Sequence, residues 1–369
     1  MTYAPQIGGA LTTLDTPSMI VDLDLMESNI SNLMSKLLSM GVNIRPHLKT
    51  TKSGILAKKL VAAGAKGGCV AKLSEAEAII AASGFDDLLI TCEIIGPVKV
   101  RRLVTLFRKH RSIRIVVDSE VGASAIDDAL EETGIEERIK VLIDLDVGLH
   151  RTGVAPGEPA LALARHVKGL KHLELIGVQG YEGHLQHLHD FEERKRECLA
   201  SMKILTETAT ALMSEGHNIR VVTTGGTGTA EFCATVEGVT ELQPGSFIFM
   251  DTDYRNAVGS FYKNSLSILA TVLSKQGPKV VTIDTGLKSL TTDSGLAECK
   301  DARYTYGCLG DEHGSLSWEH EGAGLEIGDR VEMLPSHIDP TINLFDVYYA
   351  YRGGVIEEIW PVDSRGKVQ

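Results

Sequence analysis

The segment Ile44-Arg-Pro-His-Leu-Lys-Thr-Thr-Lys52 contains a lysine whose position suggests chemistry, Lys49. It follows Val42–Arg45, a short run with the residue types of a β-strand. A lysine at the end of a barrel strand can form a Schiff base with a carbonyl compound when burial or a cationic neighbour lowers its pKa. A solvated lysine near a helix start is the ordinary alternative, because lysine side chains are usually exposed. Lys49 by itself leaves both interpretations open.

Two glycine-containing loops follow the seventh and eighth strands that the sequence predicts. The first is Thr224-Gly225-Gly226-Thr227-Gly-Thr, and the second contains Gly245 and Ser246. Glycines let backbone N–H groups approach a phosphate closely, and a helix start favours an anion. Barrels often bind phosphate with these two loops, whereas a single such loop is commonly a plain turn.

A third candidate is the sequence Ser336-His337-Ile-Asp339-Pro. In an extended segment residues i and i+2 point to the same side, so His337 and Asp339 could share one ion. One nitrogen and one hard oxygen suit manganese, cobalt or zinc, with magnesium and calcium also possible. A loop histidine and a turn-forming aspartate before proline are the alternative.

The histidine-rich segment Tyr181-Glu-Gly-His-Leu-Gln186-His187-Leu-His offers a general base, because a neutral imidazole works close to its own pKa. It could also be a surface loop. Arg151, in Asp146–Val154, follows the fifth predicted strand; it could stabilise a turn or face a cofactor ring.

Strand and helix patterns alternate through most of the chain. Strands are predicted at Val42–Arg45, Gly68–Ala71, Asp87–Thr91, Ile113–Asp118, Lys140–Leu145, Leu173–Val178, Ile219–Thr224 and Val239–Leu242. The segments between them have helical periodicity, as at Phe191–Met213, and the helix after Asp24, which we expect to be its cap, ends near Gly41. Such alternation over roughly 230 residues predicts an α/β fold, a (β/α)8 TIM-like barrel.

After Tyr262 the pattern changes to short strands separated by turn residues. They are predicted at Ile268–Leu273, Val280–Ile283, Arg330–Leu334, Asn343–Val347 and Val355–Ile359. The sequence therefore predicts a barrel over residues 16–262, followed by a C-terminal all-β domain formed by residues 263–369 together with 1–15.

Composition narrows the class of protein. Of 369 residues 43% are hydrophobic, and the formal net charge is −12. This balance argues against a nucleic-acid binder, which needs clustered basic residues, and the sequence contains no run long enough for a membrane span. No secretory signal is visible, and six separated cysteines without a CxxC pair suit a reducing compartment. We expect a cytoplasmic enzyme.

Six segments together resemble the D-threonine aldolase/D-serine dehydratase family, the fold-type III pyridoxal-phosphate (PLP) enzymes with an alanine racemase-like barrel. They are Thr16–Asp24, Arg45–Lys52, Ala71–Glu77, Asp146–Gly153, Gly225–Gly228 and His337–Thr341, in order along the chain. The segments Arg-Pro-His-x-Lys-Thr and His-x-Asp are the most specific. Thr51 stands where many relatives have histidine.

The resemblance implies a role for each candidate residue. Lys49 would carry PLP, Arg151 would face the pyridine nitrogen, and His187 would be the base. Tyr181 would contact the cofactor and Gln186 the substrate. The phosphate would be held by Thr224, Gly225, Gly226, Thr227, Gly245 and Ser246, and a divalent metal, manganese by preference, by His337 and Asp339.

The resemblance further implies retro-aldol cleavage of a D-β-hydroxy amino acid, of the D-threonine type, into glycine and an aldehyde, by a homodimer. A 3-hydroxy-D-aspartate aldolase and a dehydratase of D-serine or 3-hydroxy-D-aspartate are alternatives; such dehydratases usually have His-x-Cys in place of His337-x-Asp339. A non-catalytic PLP carrier would lack the C-terminal domain. A barrel metal hydrolase would need more ligands at strand ends than the scattered histidines supply.

Overall fold

The computed structural model describes residues 5–319 and 324–369, and it contains two compact units. The barrel unit comprises Leu33–Gly245 with Lys367–Gln369, and the β unit comprises the described residues up to Asn32 with Ser246–Gly366. This division differs from the predicted one at both boundaries. Residues 1–4 and 320–323, which the predicted β domain includes, lie outside the described residues.

The chain begins its regular structure with strand β1 (Ser18–Asp22) and helix α1 (Leu23–Ser39), after a 3-10 turn at Leu11–Thr13. The side chain of Asp22 accepts a hydrogen bond from the backbone N–H of Leu25 at 3.2 Å. Asp22 therefore caps this helix, and the expected cap, Asp24, lies inside its first turn.

Eight parallel strands form the sheet of the barrel unit. They are β2 (Asn43–Ile44), β3 (Gly68–Val70), β4 (Leu88–Ile90), β5 (Arg114–Val117), β6 (Ile139–Leu145), β7 (Leu173–Gly180), β8 (Val221–Thr224) and β9 (Glu241–Leu242). Their order is β2-β9-β8-β7-β6-β5-β4-β3, and a parallel bridge between His47 and Cys69 joins the two ends of the sheet. The predicted barrel is confirmed.

Helices connect these strands. They are α2 (Gly54–Ala62), α3 (Leu73–Ser83), α4 (Pro97–Phe107), α5 (Glu120–Glu132), α6 (Glu158–Gly169), α7 (Phe191–Ser214) and α8 (Ala230–Cys233). The prediction for α7 is confirmed to within one residue. Five neighbouring strands each contribute one side chain to a buried cluster: Cys69, Leu89, Val116, Leu142 and Ile176. In the two described stretches of chain, every helix is too short or too polar to cross a membrane.

The β unit is built on a nine-stranded sheet. After helix α9 (Thr252–Val258) come β10 (Leu266–Gly277), β11 (Val280–Ile283), β12 (Glu298–Cys299), β13 (Thr305–Cys308), β14 (Gly314–Ser317), β15 (Arg330–Leu334), helix α10 (Ile338–Ile342), β16 (Val347–Arg352) and β17 (Val355–Pro361). The main path is β13-β14-β11-β10-β1-β16-β17, and β15 pairs with β10 and β12.

Strand β1 explains why the predicted boundary at residue 16 is displaced. It pairs antiparallel with β10 and parallel with β16, so it belongs to the β unit. Its apolar residues Met19, Ile20 and Val21 are fully buried. The predicted strand Asn343–Val347 is wrong: most of it is the turn between α10 and β16, where Phe345 N–H still bonds to the Ile342 carbonyl in helical fashion.

Candidate active site

Lys49 lies in a turn just beyond the carboxyl end of β2. Its side chain is half-buried, whereas Lys52 is 9% exposed and its ammonium donates to the carbonyl oxygen of Lys49 at 2.8 Å. The ammonium of Lys52 also lies 3.8 Å from the carboxylate of Glu75. Lys52 has a φ of +48°, which a non-glycine residue rarely adopts. The structure therefore gives Lys52 a structural role and leaves Lys49 as the candidate for carbonyl chemistry.

The turn is anchored at its start by Arg45, which is 1% exposed. Its guanidinium lies 3.1 Å from the Glu241 carboxylate and 2.9 Å from that of Asp87. Burial lowers the pKa of Arg45, but Glu241, Cys69 and Asp87 together raise it by more, so the net shift is upward. A buried cation held by two carboxylates fixes the direction in which the chain leaves β2.

Side chains from the ends of neighbouring strands form a hydrogen-bonded chain. Gln179 donates to Asp144 at 2.8 Å, and Gln243 donates to the Gln179 side-chain oxygen at 3.1 Å and to the Thr223 hydroxyl at 2.9 Å. Sequence reasoning did not select these residues. The signal that could have found them is a polar residue within or just after a predicted apolar strand, because such a residue must be hydrogen-bonded.

The carboxyl group in this chain of hydrogen bonds is that of Asp144, and its pKa is raised to about 8. Burial is the main cause and the neighbouring carboxylate of Glu93 adds to it, whereas the hydrogen bonds from Gln179 and Thr152 act in the opposite direction. Asp144 therefore keeps its proton at neutral pH.

Arg151 and Tyr181, both expected to contact the cofactor, lie close together. The Arg151 guanidinium carbon lies 5.6 Å from the centroid of the Tyr181 ring, within the range of a cation–π contact. Both residues line one small cavity, together with Asp144 and Gln179. A group bound there would contact a permanent cation, an aromatic face and a protonated carboxyl group.

The first glycine loop begins at Thr224, the last residue of β8, and Gly225 has a φ of +82°. The N–H of Gly226 donates to the Thr229 hydroxyl at 3.1 Å, and the N–H of Gly228 donates to the side-chain oxygen of Gln186 at 2.9 Å. Thr227, between them, is buried. The helix that follows, α8, has four residues, so the expected contribution of a helix start to anion binding is small.

Gln186 is 1% exposed and packs against this loop. A Cβ added at Gly226 would lie 2.4 Å from the Gln186 side-chain oxygen, and one at Gly228 would lie 2.4 Å from the Gln186 carbonyl oxygen. Glycine is therefore required at both positions by the approach of Gln186. Gln186 was expected to contact the substrate, and in the structure its amide group bonds to Gly228 N–H and to the Thr229 hydroxyl.

The second loop passes close to the Lys49 turn. A Cβ on Gly245 would lie 2.9 Å from the hydroxyl oxygen of Thr50 and 3.0 Å from the carbonyl oxygen of His47. Only a glycine lets the two segments pass at this distance. Ser246 begins a 3-10 turn (Ser246–Ile248) at the start of the second part of the β unit, and it is buried.

The histidine-rich loop contains three histidines in different environments. His184 and His189 are exposed, whereas His187 is half-buried, just after a 3-10 turn at Gly183–Leu185. A partly buried imidazole is the better general base of the three, because its orientation is restricted.

The predicted metal ligands lie in the β unit, in a conformation that differs from the one we expected. His337 is the N-cap of α10 and Asp339 lies in the first turn of that helix, so the segment is not extended and the i, i+2 argument does not apply. The Nδ1 atom of His337 lies 2.5 Å from the carboxylate of Asp293. A carboxylate on one ring nitrogen is the usual support of a metal-binding histidine, whose other nitrogen then faces the ion.

A buried carboxylate, that of Asp251, also holds this helix start. Asp251, fully buried, accepts hydrogen bonds from the N–H groups of Ile338 at 3.1 Å and Tyr254 at 2.8 Å. Burial raises the pKa of Asp251 to about 7, with the charge of Asp339 adding to the rise and His337 and both bonds opposing it. An imidazole nitrogen beside carboxylate oxygens fits a divalent metal. Sequence reasoning missed Asp293 and Asp251, which are distant from His337 along the chain.

Within the described stretches, one further cluster could hold a metal: Glu182, Cys198 and Cys233 of the barrel unit, whose ligand atoms lie within 4.8 Å of one another. All three side chains are buried.

Comparison with known proteins places the chain in a family. Residues 21–253 match the family model "Alanine racemase, N-terminal domain", and residues 265–351 match "Putative serine dehydratase domain". The chain belongs to the alanine racemase-like, fold-type III family. The resemblance stated from the sequence motifs is thereby confirmed, and the family implies PLP as cofactor.

Members of this family with similar sequences have related activities. The chain is 38% identical to D-threonine aldolase of an Arthrobacter species over 365 residues, which are 98% of this chain and 95% of that enzyme. It is 34% identical to 3-hydroxy-D-aspartate aldolase of Paracoccus denitrificans, over 96% of this chain and 93% of that enzyme.

Solved structures of similar enzymes have the same fold as this chain. The crystal structure of D-threonine aldolase from Filomicrobium marinum superposes with a TM-score of 0.95 at 34% identity over the whole of both chains. A variant of D-threo-3-hydroxyaspartate dehydratase, solved in a metal-free form, superposes with a TM-score of 0.86 at 29% identity, over 96% of this chain and 98% of that one. That description implies that the dehydratase binds a metal.

Proposed function

We propose that the protein is a PLP- and divalent-metal-dependent aldolase that cleaves D-β-hydroxy amino acids of the D-threonine type into glycine and an aldehyde. The observation that carries the proposal is the hard carboxylate donor Asp339 two residues after His337 at the start of α10, in a chain similar to D-threonine aldolase along almost its whole length. A thiolate at this position is the pattern of the related dehydratases, and a carboxylate suits manganese better than a thiolate does.

When bound, PLP supplies an electron sink at the substrate Cα, and the metal supplies a Lewis acid for the β-oxygen. Lys49 would hold the cofactor, with Arg151 and Tyr181 beside its ring. In that position the positive charge of the Arg151 guanidinium, which only donates hydrogen bonds, would disfavour protonation of the ring nitrogen. His187 accepts the proton of the β-hydroxyl group, which the breaking of the Cα–Cβ bond requires. His337 and Asp339 would hold the metal, and Asp293 orients His337.

Product analysis tests the reaction. We expect the protein, supplied with PLP and manganese, to release glycine from D-threonine and from 3-hydroxy-D-aspartate but not from L-threonine. Lys49→Ala should lose both the visible absorbance of the bound cofactor and turnover, whereas Lys52→Ala should keep the absorbance. Oxaloacetate and ammonia, instead of glycine and glyoxylate, from 3-hydroxy-D-aspartate would identify a dehydratase.

The preferred aldehyde separates the two candidate aldolases. The similarity to the Paracoccus enzyme favours 3-hydroxy-D-aspartate as a second candidate substrate. A kcat/KM for 3-hydroxy-D-aspartate above that for D-threonine would select this activity.

Metal dependence is tested by chelation. Removal of the metal should stop turnover and leave the absorbance of the cofactor in place, and manganese or cobalt should restore turnover. His337→Ala should weaken manganese binding, and the exposed His313→Ala is the matched control. Full activity of the metal-depleted protein would contradict the proposed metal requirement.

The role of His187 is tested by exchange for a residue that cannot act as a base. His187→Asn should lower kcat by roughly 10²- to 10⁴-fold, the usual effect of losing a general base. His189→Asn, an exposed neighbour in the same loop, is the control and should be nearly unaffected.

A further inference from the structure

Glu182 lies two residues after the end of strand β7, and its carboxylate is fully buried. It accepts hydrogen bonds from the Thr224 hydroxyl at 2.9 Å, from the Gln186 amide at 3.2 Å and from the Thr229 hydroxyl. A carboxylate is costly to bury unless its oxygens are bonded, and here both are. Apart from the possible metal cluster with Cys198 and Cys233, none of the roles described above uses this group.

The groups that bond to Glu182 also bond to the first glycine loop, Gly225–Thr229. The Thr229 hydroxyl accepts from Gly226 N–H at 3.1 Å, and the Gln186 side-chain oxygen accepts from Gly228 N–H at 2.9 Å. The Gln186 amide nitrogen also donates to the Thr229 hydroxyl, at 2.9 Å. The carboxylate is thus linked to two loop amides, each through one intermediate side chain.

Glu182 determines which atoms donate and which accept in these hydrogen bonds. Backbone N–H groups can only donate, so Thr229 and Gln186 must present oxygen to the loop. One amide proton of Gln186 is taken up by the Thr229 hydroxyl, so the Thr229 hydroxyl proton and the other Gln186 amide proton need a further acceptor. The side-chain oxygen of Glu182 accepts from both groups and so fulfils this need at both places.

From this network we infer that Glu182 is a positioning residue for the cofactor phosphate: it holds the loop Gly225–Thr229 in the conformation that binds the phosphate group, without contacting the cofactor. This inference rests on the proposed function. Because Gln186 also packs against Gly226 and Gly228 at the limit of close approach, the loop has little freedom to compensate when the network changes.

A metal held by Glu182, Cys198 and Cys233 is the competing interpretation. Metal-binding thiols must be deprotonated. Burial raises the pKa of the Cys233 thiol well above its ordinary value, and the neighbouring Cys198 and Glu182 add to the rise. Both oxygens of Glu182 already accept hydrogen bonds, so the structure favours the positioning role. Stoichiometric zinc that is lost from Glu182→Gln would overturn it.

The test uses two cofactor forms that differ only in the phosphate, PLP and pyridoxal. The full-length chain, freed of cofactor, is titrated with each while absorbance is followed. Glu182→Gln replaces one carboxylate oxygen by an NH2 group. This group cannot accept the hydrogen bonds that Thr224, Gln186 and Thr229 donate to Glu182. We expect PLP affinity to fall by about 10- to 100-fold, the effect of one hydrogen bond to a charged group. The affinity for pyridoxal should change little.

Glu241→Gln makes the same chemical change at a buried carboxylate of the same barrel that bonds to Arg45, and it should leave the ratio of the two affinities unaltered. Should Glu182→Gln fail to fold, the Thr229 pair decides: Thr229→Ser keeps the hydroxyl and should retain the preference for PLP, and Thr229→Val should lose it. A wild-type preference that survives in Glu182→Gln or Thr229→Val would overturn this inference alone. A wild-type chain with no preference for PLP over pyridoxal would overturn both this inference and the PLP site of the proposed function.

Discussion

Replacing Asp144 by asparagine should make the protein more stable in neutral and weakly alkaline solution. The side chain is 5% exposed and its pKa is raised from 3.8 to about 8, by burial first and by Glu93 in addition. Asparagine has the same shape and keeps an oxygen that can accept the hydrogen bond from Gln179. It also places an NH2 group where the protonated acid has its hydroxyl.

The sign and size of the effect follow from proton linkage. Between about pH 4 and pH 8 the unfolded chain releases the Asp144 proton and the folded chain keeps it, so the free energy of unfolding falls as the pH rises. One proton corresponds to about 1.4 kcal/mol per pH unit. The stability that this group contributes is complete below the unfolded pKa and lost once the pH passes the folded pKa of about 8. Asparagine has no such dependence.

The assay is the free energy of unfolding in denaturant, measured for both proteins from about pH 5 to pH 9. The advantage of Asp144→Asn over the wild type should grow by roughly 4 kcal/mol between pH 5 and pH 8 and then level off. Asp128→Asn, an exposed change on α5, should follow the wild type throughout. Parallel curves for wild type and Asp144→Asn would refute the reasoning, because they would show that Asp144 titrates alike in both states.

Three further changes test other parts of the structure. Arg45→Met should lower the free energy of unfolding by about 3–5 kcal/mol, because it leaves the buried Glu241 without its cation. Adding Glu241→Leu should recover much of the loss. Denaturant curves of equal midpoint for the wild type and Arg45→Met would contradict this. Gly228→Ala should lower the melting temperature, because overpacking typically costs about 1–3 kcal/mol. Gly169→Ala is the control and should not lower it, since its added Cβ meets no atom within 4 Å. Equal melting temperatures of the two variants would show that the loop can move to make room for the Cβ. Asp293→Asn should weaken manganese binding by about 10- to 100-fold in a titration, and unchanged affinity would remove Asp293 from the metal site.

The sequence was sufficient for the barrel because its signals are local. Each of the eight barrel strands is a short apolar run with turn residues on both sides, and all eight were predicted to within two residues of an observed end. Helix α7 and strands β11 and β15 were predicted equally well. The order of motifs along the chain also identified the family, since motif order does not depend on how distant segments meet.

Contacts between residues far apart in sequence were decided only by the tertiary structure. Strand β1 joins the β unit because it pairs with β10 and β16, more than 200 residues later in the chain. Asp293 supports His337 across 44 residues, and Gln186 bonds to Gly228 of the glycine loop across 42 residues. The pKa of Asp144 is likewise set by the atoms that exclude water from it. The local sequence pattern determines which helix or strand forms. The partners of a side chain and its exclusion from water depend on all the residues packed around it, and these come from distant segments.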